Sequence, residues 1–425
     1  MRARPKSSIS RSAAAIATLA IALPAILLST SSSAAGPTFG SPIKAGNRGF
    51  EQGINMLPDG TIFVDEPAGL GAHSNAWRLD PGATSYTKLV FPTPWGRLPG
   101  GGDSDIALTP DGRVYFLDLW VGSNSIAVSE DRGETWTIGT PFTTLPLTDR
   151  QWIAVGERDE STGKDTVYVV YQQFSPPNWV MFSRSRDGGL TWDYHRPAPF
   201  LTGGVSGSTG KLVADGDFVA FSYDQNRLTH VATSPDAGET WESKPVSILP
   251  NADRTITGTA LSGQHLSTAW LTNPSGTQQL QFARSTDRGG IWDPAVTIAD
   301  VEGTAVFSWV TSRYDPDTQE TKVAAAWYET PVDALQPDDV GSAAIWTVKY
   351  VESLDGGLTW SDPVAVTDGV RRGIICTRGL DCSTGREVGD FITLTIGPDM
   401  MSRIAYHDGI ADGSCCGGMV VTQTS

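Results

Sequence analysis

The chain has 425 residues, of which 18% are charged, 9% are aromatic, 46 are Gly and 27 are Pro. This composition is too apolar and too aromatic for a disordered chain, and its many Gly, Pro and Trp residues favour short strands and tight turns. The formal net charge of −16 makes nucleic acid and anionic lipid electrostatically unfavourable partners.

Residues 1–35 are predicted to be a secretory signal peptide. Four basic residues precede an apolar run from Ala13 to Leu28, and the small residues 33–35 fit a cleavage site. Because the run is short and contains Pro24, export is favoured over the alternative of an uncleaved membrane anchor. We therefore expect residues 36–425 to form one secreted, extracellular domain, whose net charge is −20 once the four basic residues are removed.

An octapeptide of the form Ser-x-Asp-x-Gly-x-Thr-Trp recurs along the chain. A degenerate copy at Asp80–Thr84 lacks the Ser and the Trp, and one later copy has Ile291 at the Thr position. The near-complete copies are Ser129–Trp136, Ser185–Trp192, Ser234–Trp241, Ser285–Trp292 and Ser353–Trp360.

The octapeptide has the chemistry of a hairpin turn. Its Asp can accept backbone N–H bonds, its Gly permits a positive φ, and its Trp offers a large apolar face to a neighbouring unit. We therefore interpret these residues as structural rather than catalytic.

A second repeat, which pairs two short apolar strands across a turn, lies between the octapeptides. Its copies are Gly53–Val64, Asp105–Leu117, Gln151–Tyr171, Lys211–Tyr223, Ile256–Trp270, Ala305–Trp327 and Phe391–Tyr406. One strand pair and one octapeptide hairpin together make a four-stranded antiparallel unit. Because the units recur at intervals near 50 residues, they predict an all-β propeller.

Seven strand pairs predict seven blades, with six blades as the alternative. The seventh pair has no octapeptide, so we expect the N-terminal segment Phe39–Lys44 to supply the missing outer strand. The longest interval between octapeptides contains Val332–Ala343, which we interpret as a loop insertion.

The four cysteines are Cys376, Cys382, Cys415 and Cys416. An even number in an exported chain indicates disulfides. A bridge between the adjacent Cys415 and Cys416 would be strained, so both are expected to pair with Cys376 and Cys382, in either combination. A free or metal-binding set of thiols is the alternative.

In its octapeptides and strand pairs the chain resembles the bacterial neuraminidase repeat (BNR, Asp-box) family, which includes sialidases. The resemblance covers most of residues 37–425 and implies the propeller fold. Proteins with these repeats include sialidases, other glycosidases, polysaccharide lyases and non-catalytic binders, so the fold alone does not define the activity.

The resemblance also implies catalytic positions. The general acid of sialidases follows the first strand pair, where Asp65 stands, and their nucleophile is a late Tyr paired with a Glu, for which Tyr406 and Glu302 are the candidates. The Arg-Ile-Pro motif of sialidases is absent, and residues 48–52 read Arg-Gly-Phe-Glu-Gln in its place.

Propeller topology predicts where a ligand would bind. Residues just before the first strand of a blade, or just after the second, converge on one mouth of the central channel. The substrate-binding candidates at this mouth are Arg48, Glu51, Asp103, Asp149, Arg150, Arg254, Arg386, Asp390 and His407. Paired carboxylates suit glycoside hydrolysis, and arginines can clamp a sugar carboxylate.

We therefore expect a monomeric, sialidase-like glycoside hydrolase that acts on a glycan, which the arginines suggest is acidic. A non-catalytic propeller that binds glycan or protein is the first alternative, and a polysaccharide lyase using a Tyr/His pair is the second. No cofactor is implied, with Ca²⁺ at the Asp-rich rim as the alternative.

Overall fold

The computed structural model describes residues 36–46, 50–68, 73–93, 100–120, 123–174, 179–198, 209–250, 256–274, 276–410 and 417–425, together with Met1. The predicted signal peptide lies outside these residues. Gly36–Ser425 is one compact unit. Within the described ranges, no helix is long and apolar enough to cross a bilayer.

Seven antiparallel sheets, each a blade of four main strands, make up this unit. From the inner strand outward, blade 1 contains β2 (Gly53–Met56), β3 (Ile62–Pro67), β4 (Ser74–Leu79) and β5 (Thr87–Lys88), and blade 2 contains β6 (Ser104–Leu108), β7 (Val114–Trp120), β8 (Ser123–Ser129) and β9 (Thr137–Ile138). Blade 3 contains β10 (Thr148–Asp159), β11 (Lys164–Gln173), β12 (Trp179–Ser185) and β13 (Tyr194–Pro197). Blade 4 contains β14 (Val213–Asp215), β15 (Phe218–Gln225), β16 (Leu228–Ser234) and β17 (Glu242–Pro245).

The last three blades follow the same order. Blade 5 contains β18 (Thr259–Ser262), β19 (His265–Thr272), β20 (Gln279–Ser285) and β21 (Val296–Asp300). Blade 6 contains β22 (Thr304–Asp315), β23 (Glu320–Thr330), β24 (Ile345–Ser353) and β25 (Val364–Ala365), and β26 (Arg371–Arg372) also pairs with β24. Blade 7 contains β27 (Thr393–Ile396), β28 (Ser402–Asp408), β29 (Gly417–Thr422) and β1 (Ile43–Lys44). The described helical segments are two 3₁₀ turns, Pro337–Asp339 and Gly379–Asp381.

The ring closes through the N-terminal segment, as the sequence predicted. Ile43 and Lys44 pair with Val420 and Met419 as the outer strand of blade 7, and Phe39 forms a bridge to Gln423. Each inner strand contacts the inner strands of the two adjacent blades, including β27 with β2. Seven blades are therefore confirmed, and the six-blade alternative is wrong.

The octapeptides form the turns between third and fourth strands. In the first complete copy, Ser129 Oγ donates to Asp131 (2.8 Å), and Thr135 donates to the same carboxylate through its backbone N–H (2.8 Å) and its hydroxyl (2.6 Å). Gly133 has a φ of 86° and donates its N–H to Ser129 Oγ. The hydrogen bond from the Thr135 hydroxyl is the main cause that lowers the pKa of Asp131.

Basic side chains on third strands anchor these turns to the preceding blade. Arg78, Arg184 and Arg284 donate to the turn carbonyls of Arg132, Ala237 and Gly356, respectively, at 2.7–3.1 Å. The turn tryptophans add apolar contact. For example, the Trp241 ring lies edge-on to Phe182 of the preceding blade, with centroids 5.1 Å apart. The structural role predicted for the octapeptide is thus confirmed.

The copy with Ile291 offers a test of this turn chemistry. In the other four copies, a Thr hydroxyl donates to the Asp carboxylate at 2.6 Å. Ile291 is 75% exposed, so Ile291→Thr would gain the missing bond without loss of packing. We expect the midpoint of urea denaturation to rise, because the turn gains a hydrogen bond. Thr191→Val should produce a loss of similar size, and no change in either variant would contradict the assignment.

Candidate functional site

The mouth of the channel lies on the face opposite the octapeptide turns. The first strand of each blade starts there, and the loops after second strands and the connections between blades lie there too. Six of the nine substrate-binding candidates form one cluster at this mouth. They are Glu51, Asp103, Asp149, Arg150, Arg386 and Asp390.

Asp103 is the centre of this cluster. The carboxyl groups of Glu51 and Asp149 both donate hydrogen bonds to its carboxylate. The backbone N–H of Arg150 also donates to it (3.1 Å), and Arg150 Nη1 lies 3.6 Å from Asp103 Oδ1 and 3.8 Å from Glu51 Oε2. Glu51, Asp103 and Arg150 are buried, whereas Asp149 is half-buried. The proton-bearing group that solvent or a ligand can reach is therefore Asp149.

The cluster drives the carboxyl pKa values apart. Burial, reinforced by the charge of Asp103, raises the pKa of Asp149 to about 8 and raises that of Glu51 well above its ordinary value. Burial would raise the pKa of Asp103 as well, but the Arg150 guanidinium and the hydrogen bonds from Asp149 and Glu51 reverse this effect and lower it. At neutral pH a proton-bearing Asp149 thus lies beside an ionised Asp103.

A β-bulge places Arg150 in this position. Between the pairs Asp149–Gln172 and Trp152–Val170, β10 contains one residue more than β11, and Arg150 adopts a left-handed φ of 38°. Bulges of this kind redirect side chains next to functional sites. Glu51, two residues before β2, is also left-handed, with a φ of 57°. The backbone departs from regular strand geometry at both residues that flank Asp103.

Aromatic rings support Arg150 from below. Its guanidinium carbon lies 3.7 Å from the ring centroid of Trp152 and 4.2 Å from that of Phe391. Trp152, Phe391 and Trp309 contact one another with centroids 5.3–5.5 Å apart, and all three are buried. Because these rings come from blades 3, 6 and 7, they pack across the centre of the ring and form the floor of the mouth.

The connection between blades 6 and 7 forms one wall of the mouth. Within it, Arg386 makes a two-point ion pair with Asp390, and Arg386 Nη2 lies 3.9 Å from Glu51 Oε1. The backbone N–H of Cys376 donates to the Gly385 carbonyl at 2.8 Å, next to Arg386. A cystine in the same connection thus braces the residue that carries this guanidinium.

The predicted disulfide pairing of Cys376 and Cys382 is wrong. These two cysteines are bridged to each other, with Cα atoms 5.9 Å apart. The bridge spans six residues, because the chain turns back on itself at the 3₁₀ turn Gly379–Asp381. Cys415 and Cys416 lie outside the described residues.

Asp65, the general-acid position that the family resemblance implies, is fully buried. Ser104 Oγ donates to Asp65 Oδ2 at 2.7 Å, and burial together with the charge of Asp105 raises the pKa of Asp65 to about 7. Asp105 is held by Lys211 Nζ, which is 2.5 and 2.6 Å from its two carboxylate oxygens. Asp65 therefore belongs to a second network that links blades 1, 2 and 4.

The remaining candidates do not join the cluster. Tyr406 is 1% exposed within the main core, where burial raises its pKa, and His407 is equally buried. Glu302 is exposed at the start of blade 6, and its backbone N–H is bonded to Glu329. Arg48 and Arg254 lie outside the described residues. Among the described residues, no group of three or more His, Cys, Asp or Glu side chains is arranged to hold a metal ion.

The sequence interpretation missed two residues beside the cluster, namely Trp152 beneath Arg150 and Lys211 in the second network around Asp105. Lys211 opens the fourth strand pair, so its place before a first strand was a usable signal. Trp152 resembles any other apolar strand residue in the sequence, and only the bulge and the contact with Arg150 reveal its role.

The chain has the architecture of a sialidase-like Asp-box propeller, and residues 117–320 match the family model described as BNR repeat-like domain. This match covers just under half of the chain, and over these residues the chain is similar to BNR-repeat proteins. Among curated proteins, none matches the chain.

Solved structures share the fold at low identity. The GH74 xyloglucanase from Xanthomonas campestris is 15% identical, with a TM-score of 0.51 over 89% of this chain and 55% of its own, so the chain spans little more than half of that enzyme. The NanB sialidase K499G mutant from Streptococcus pneumoniae is 12% identical (91% and 70% covered, TM-score 0.44). YCF48 bound to D1 peptide is 10% identical (91% and 94% covered, TM-score 0.47).

Asp118 allows the effect of buried carboxyls on stability to be measured outside the cluster. It occupies the register in blade 2 that Asp65 occupies in blade 1, accepts bonds from Ser74 Oγ and the Gly101 N–H, and has a pKa that burial raises to about 7. Because the folded state keeps this proton, stability should fall as pH rises from about 4 to about 7, by up to about 1.4 kcal/mol per pH unit.

We expect Asp118→Asn, which stays neutral, to remove this part of the slope when urea unfolding is followed across pH 4–8. Asp131→Asn is the control: because the fold lowers the pKa of Asp131 below its ordinary value, its contribution is lost only below about pH 4, and this variant should keep the wild-type slope across pH 4–8. An unchanged slope in Asp118→Asn would contradict the raised pKa.

Proposed function

We propose that this propeller is an exported glycoside hydrolase whose active site is the carboxyl cluster at the channel mouth. The observation that carries the proposal is the pair Asp103 and Asp149, two adjacent carboxyls whose surroundings drive their pKa values in opposite directions. Such divergence is typical of carboxyls with separate acid and base roles.

Asp149 is suited to be the general acid. Its pKa of about 8 keeps it protonated at neutral pH, and its partial exposure allows it to approach a glycosidic oxygen. Asp103 orients this proton, since it accepts the hydrogen bond from Asp149 while Arg150 balances its charge. Protonation of the leaving oxygen by a positioned acid of matched pKa typically accelerates cleavage by 10²–10⁴-fold.

Asp390 is the second carboxylate that we assign to the reaction. It lies close enough to influence the pKa values of Asp149 and Glu51, and its side chain is 36% exposed beside Arg386. In the proposed reaction, Asp149 gives its proton to the leaving oxygen, and water adds to the anomeric carbon and passes a proton to Asp390. The two carboxyls exchange protonation states, and proton transfer through solvent restores them.

Arg386 is the guanidinium that an acidic sugar would meet at this site. Its side chain is 30% exposed, whereas that of Arg150 is 3% exposed and lies beneath the carboxyls. A substrate carboxylate would have to compete with Asp390 for Arg386. The substrate panel therefore includes both acidic and neutral glycans.

The buried positions of Tyr406 and His407 give no support to a lyase, which would need these groups at the surface. A non-catalytic glycan binder remains the alternative, and it predicts binding without turnover.

The test is sugar release from a panel of sialosides, uronic-acid polymers and neutral plant glycans. With a substrate found in this way, Asp149→Asn should lower kcat by 10²–10⁴-fold and remove a fall in rate above about pH 8. An aryl glycoside, whose leaving group needs no proton, should lose much less activity in this variant.

Asp118→Asn is the matched control, because Asp118 is a buried carboxyl of similarly raised pKa that lies outside the cluster. Its kcat should equal that of the wild type. Binding to glycans without release of sugar, or full activity in Asp149→Asn, would overturn the proposed hydrolase.

A further inference from the structure

Three exposed apolar side chains come from two hydrogen-bonded segments beside the candidate site. Leu145, Leu147 and Phe174 have 48%, 56% and 42% of their surfaces exposed, respectively. We refer to these three residues as the apolar platform. Leu145 and Leu147 precede β10, and Phe174 follows β11, so the platform lies at the mouth end of blade 3.

Hydrogen bonds hold the platform in its exposed position. The N–H of Phe174 donates to the Leu147 carbonyl at 2.8 Å, and Gln173 Nε2 donates to the Pro146 carbonyl at 2.6 Å. The N–H of Leu145 donates to Thr143 Oγ1 at 3.1 Å. The segment is therefore fixed to β11, and the exposure of its side chains is part of the fold.

The backbone at Leu147 is costly for a leucine. Its φ is 63°, a left-handed conformation that Gly or Asn adopts more easily. Leu147 is more than half exposed, so packing of its side chain does not offset this unfavourable backbone conformation. Outliers of this kind cluster at ligand sites, where the side chain has a use outside folding.

The platform is continuous with the carboxyl cluster. Leu147 is two residues from Asp149, and the first pair of the β10–β11 ladder, Thr148 with Gln173, joins the two sides of the platform. A ligand whose polar part reaches Asp149 would thus have its next group over Leu147 and Phe174.

We propose that the apolar platform binds a hydrophobic aglycone, an alkyl or acyl chain attached to the sugar that occupies the mouth. This inference rests on the proposed function and adds a substrate class, the glycolipid-like glycosides. Two leucines provide no hydrogen-bonding groups for sugar hydroxyls, whereas burial of hydrocarbon against them removes apolar surface from water.

The test compares n-octyl and methyl glycosides of glucose and of glucuronic acid, below the micelle concentration, by calorimetric titration of Asp149→Asn protein. We expect the octyl member of a pair to bind at least about tenfold more tightly, which corresponds to about 1.4 kcal/mol. Leu147→Gly and Phe174→Ser should each lose most of this preference.

Leu147→Gly also separates binding from folding, because glycine suits the left-handed backbone and should leave the unfolding midpoint unchanged or raised. Ile248→Ser is the matched control. Ile248 is 91% exposed in the connection between blades 4 and 5 and is not part of the platform, so its loss should leave the preference intact. Equal affinity for octyl and methyl glycosides, or a preference that survives both platform variants, would overturn the platform assignment.

The two proposals can fail separately. If octyl glycosides bind more tightly but the wild type cleaves no glycoside, the platform assignment is supported and the proposed hydrolase activity is overturned. If the wild type cleaves octyl and methyl glycosides with equal kcat/KM, the proposed hydrolase activity is supported and the platform assignment is overturned.

Discussion

Each four-stranded blade has two apolar faces, and only packing between blades on both sides can bury them. The ring is closed by a strand of two residues, Ile43–Lys44, which completes blade 7 beside the C-terminal strand. The turns between third and fourth strands hold adjacent blades together, since arginines such as Arg184 donate to turn carbonyls of the next blade. Closure is therefore the condition under which every inner strand has two neighbours and the mouth can form.

The mouth uses this closure to gather charges that the chain supplies far apart. Three of them, Glu51, Asp103 and Arg386, lie in separate segments before first strands, and Asp149 lies at the start of β10, so all of them reach the end of the ring where the blades begin. Buried carboxyls cannot all ionise at such short range. The outcome is a shared arrangement in which Asp103 carries the charge, Arg150 balances it, and Glu51 and Asp149 retain protons. Acid–base capacity thus results from packing, with no group whose chemistry is unusual in itself.

Blade 3 contributes to both the proposed active site and the apolar platform. The bulge at Arg150 turns the guanidinium towards Asp103, and the segment just before it presents Leu147 to solvent. Polar and apolar recognition would then be adjacent on one element. This arrangement fits a ligand with a sugar at one end and hydrocarbon at the other.

The turns, the number of blades and the closing segment could all be predicted from the sequence, because their chemistry is local. Ser, Asp, Gly and Thr within one octapeptide make the turn by themselves, and counting the strand pairs shows which outer strand is missing. Propeller topology also predicted that four distant side chains meet at one mouth of the channel, namely Glu51, Asp103, Asp149 and Arg386. Tertiary structure alone decided the Cys376–Cys382 bridge, the burial of Asp65 and Tyr406, and the direction of each pKa shift. A local turn determines the bridge, whereas a bulge of one residue and contacts between blades determine the burial and the pKa shifts; none of these leaves a periodic pattern in the chain.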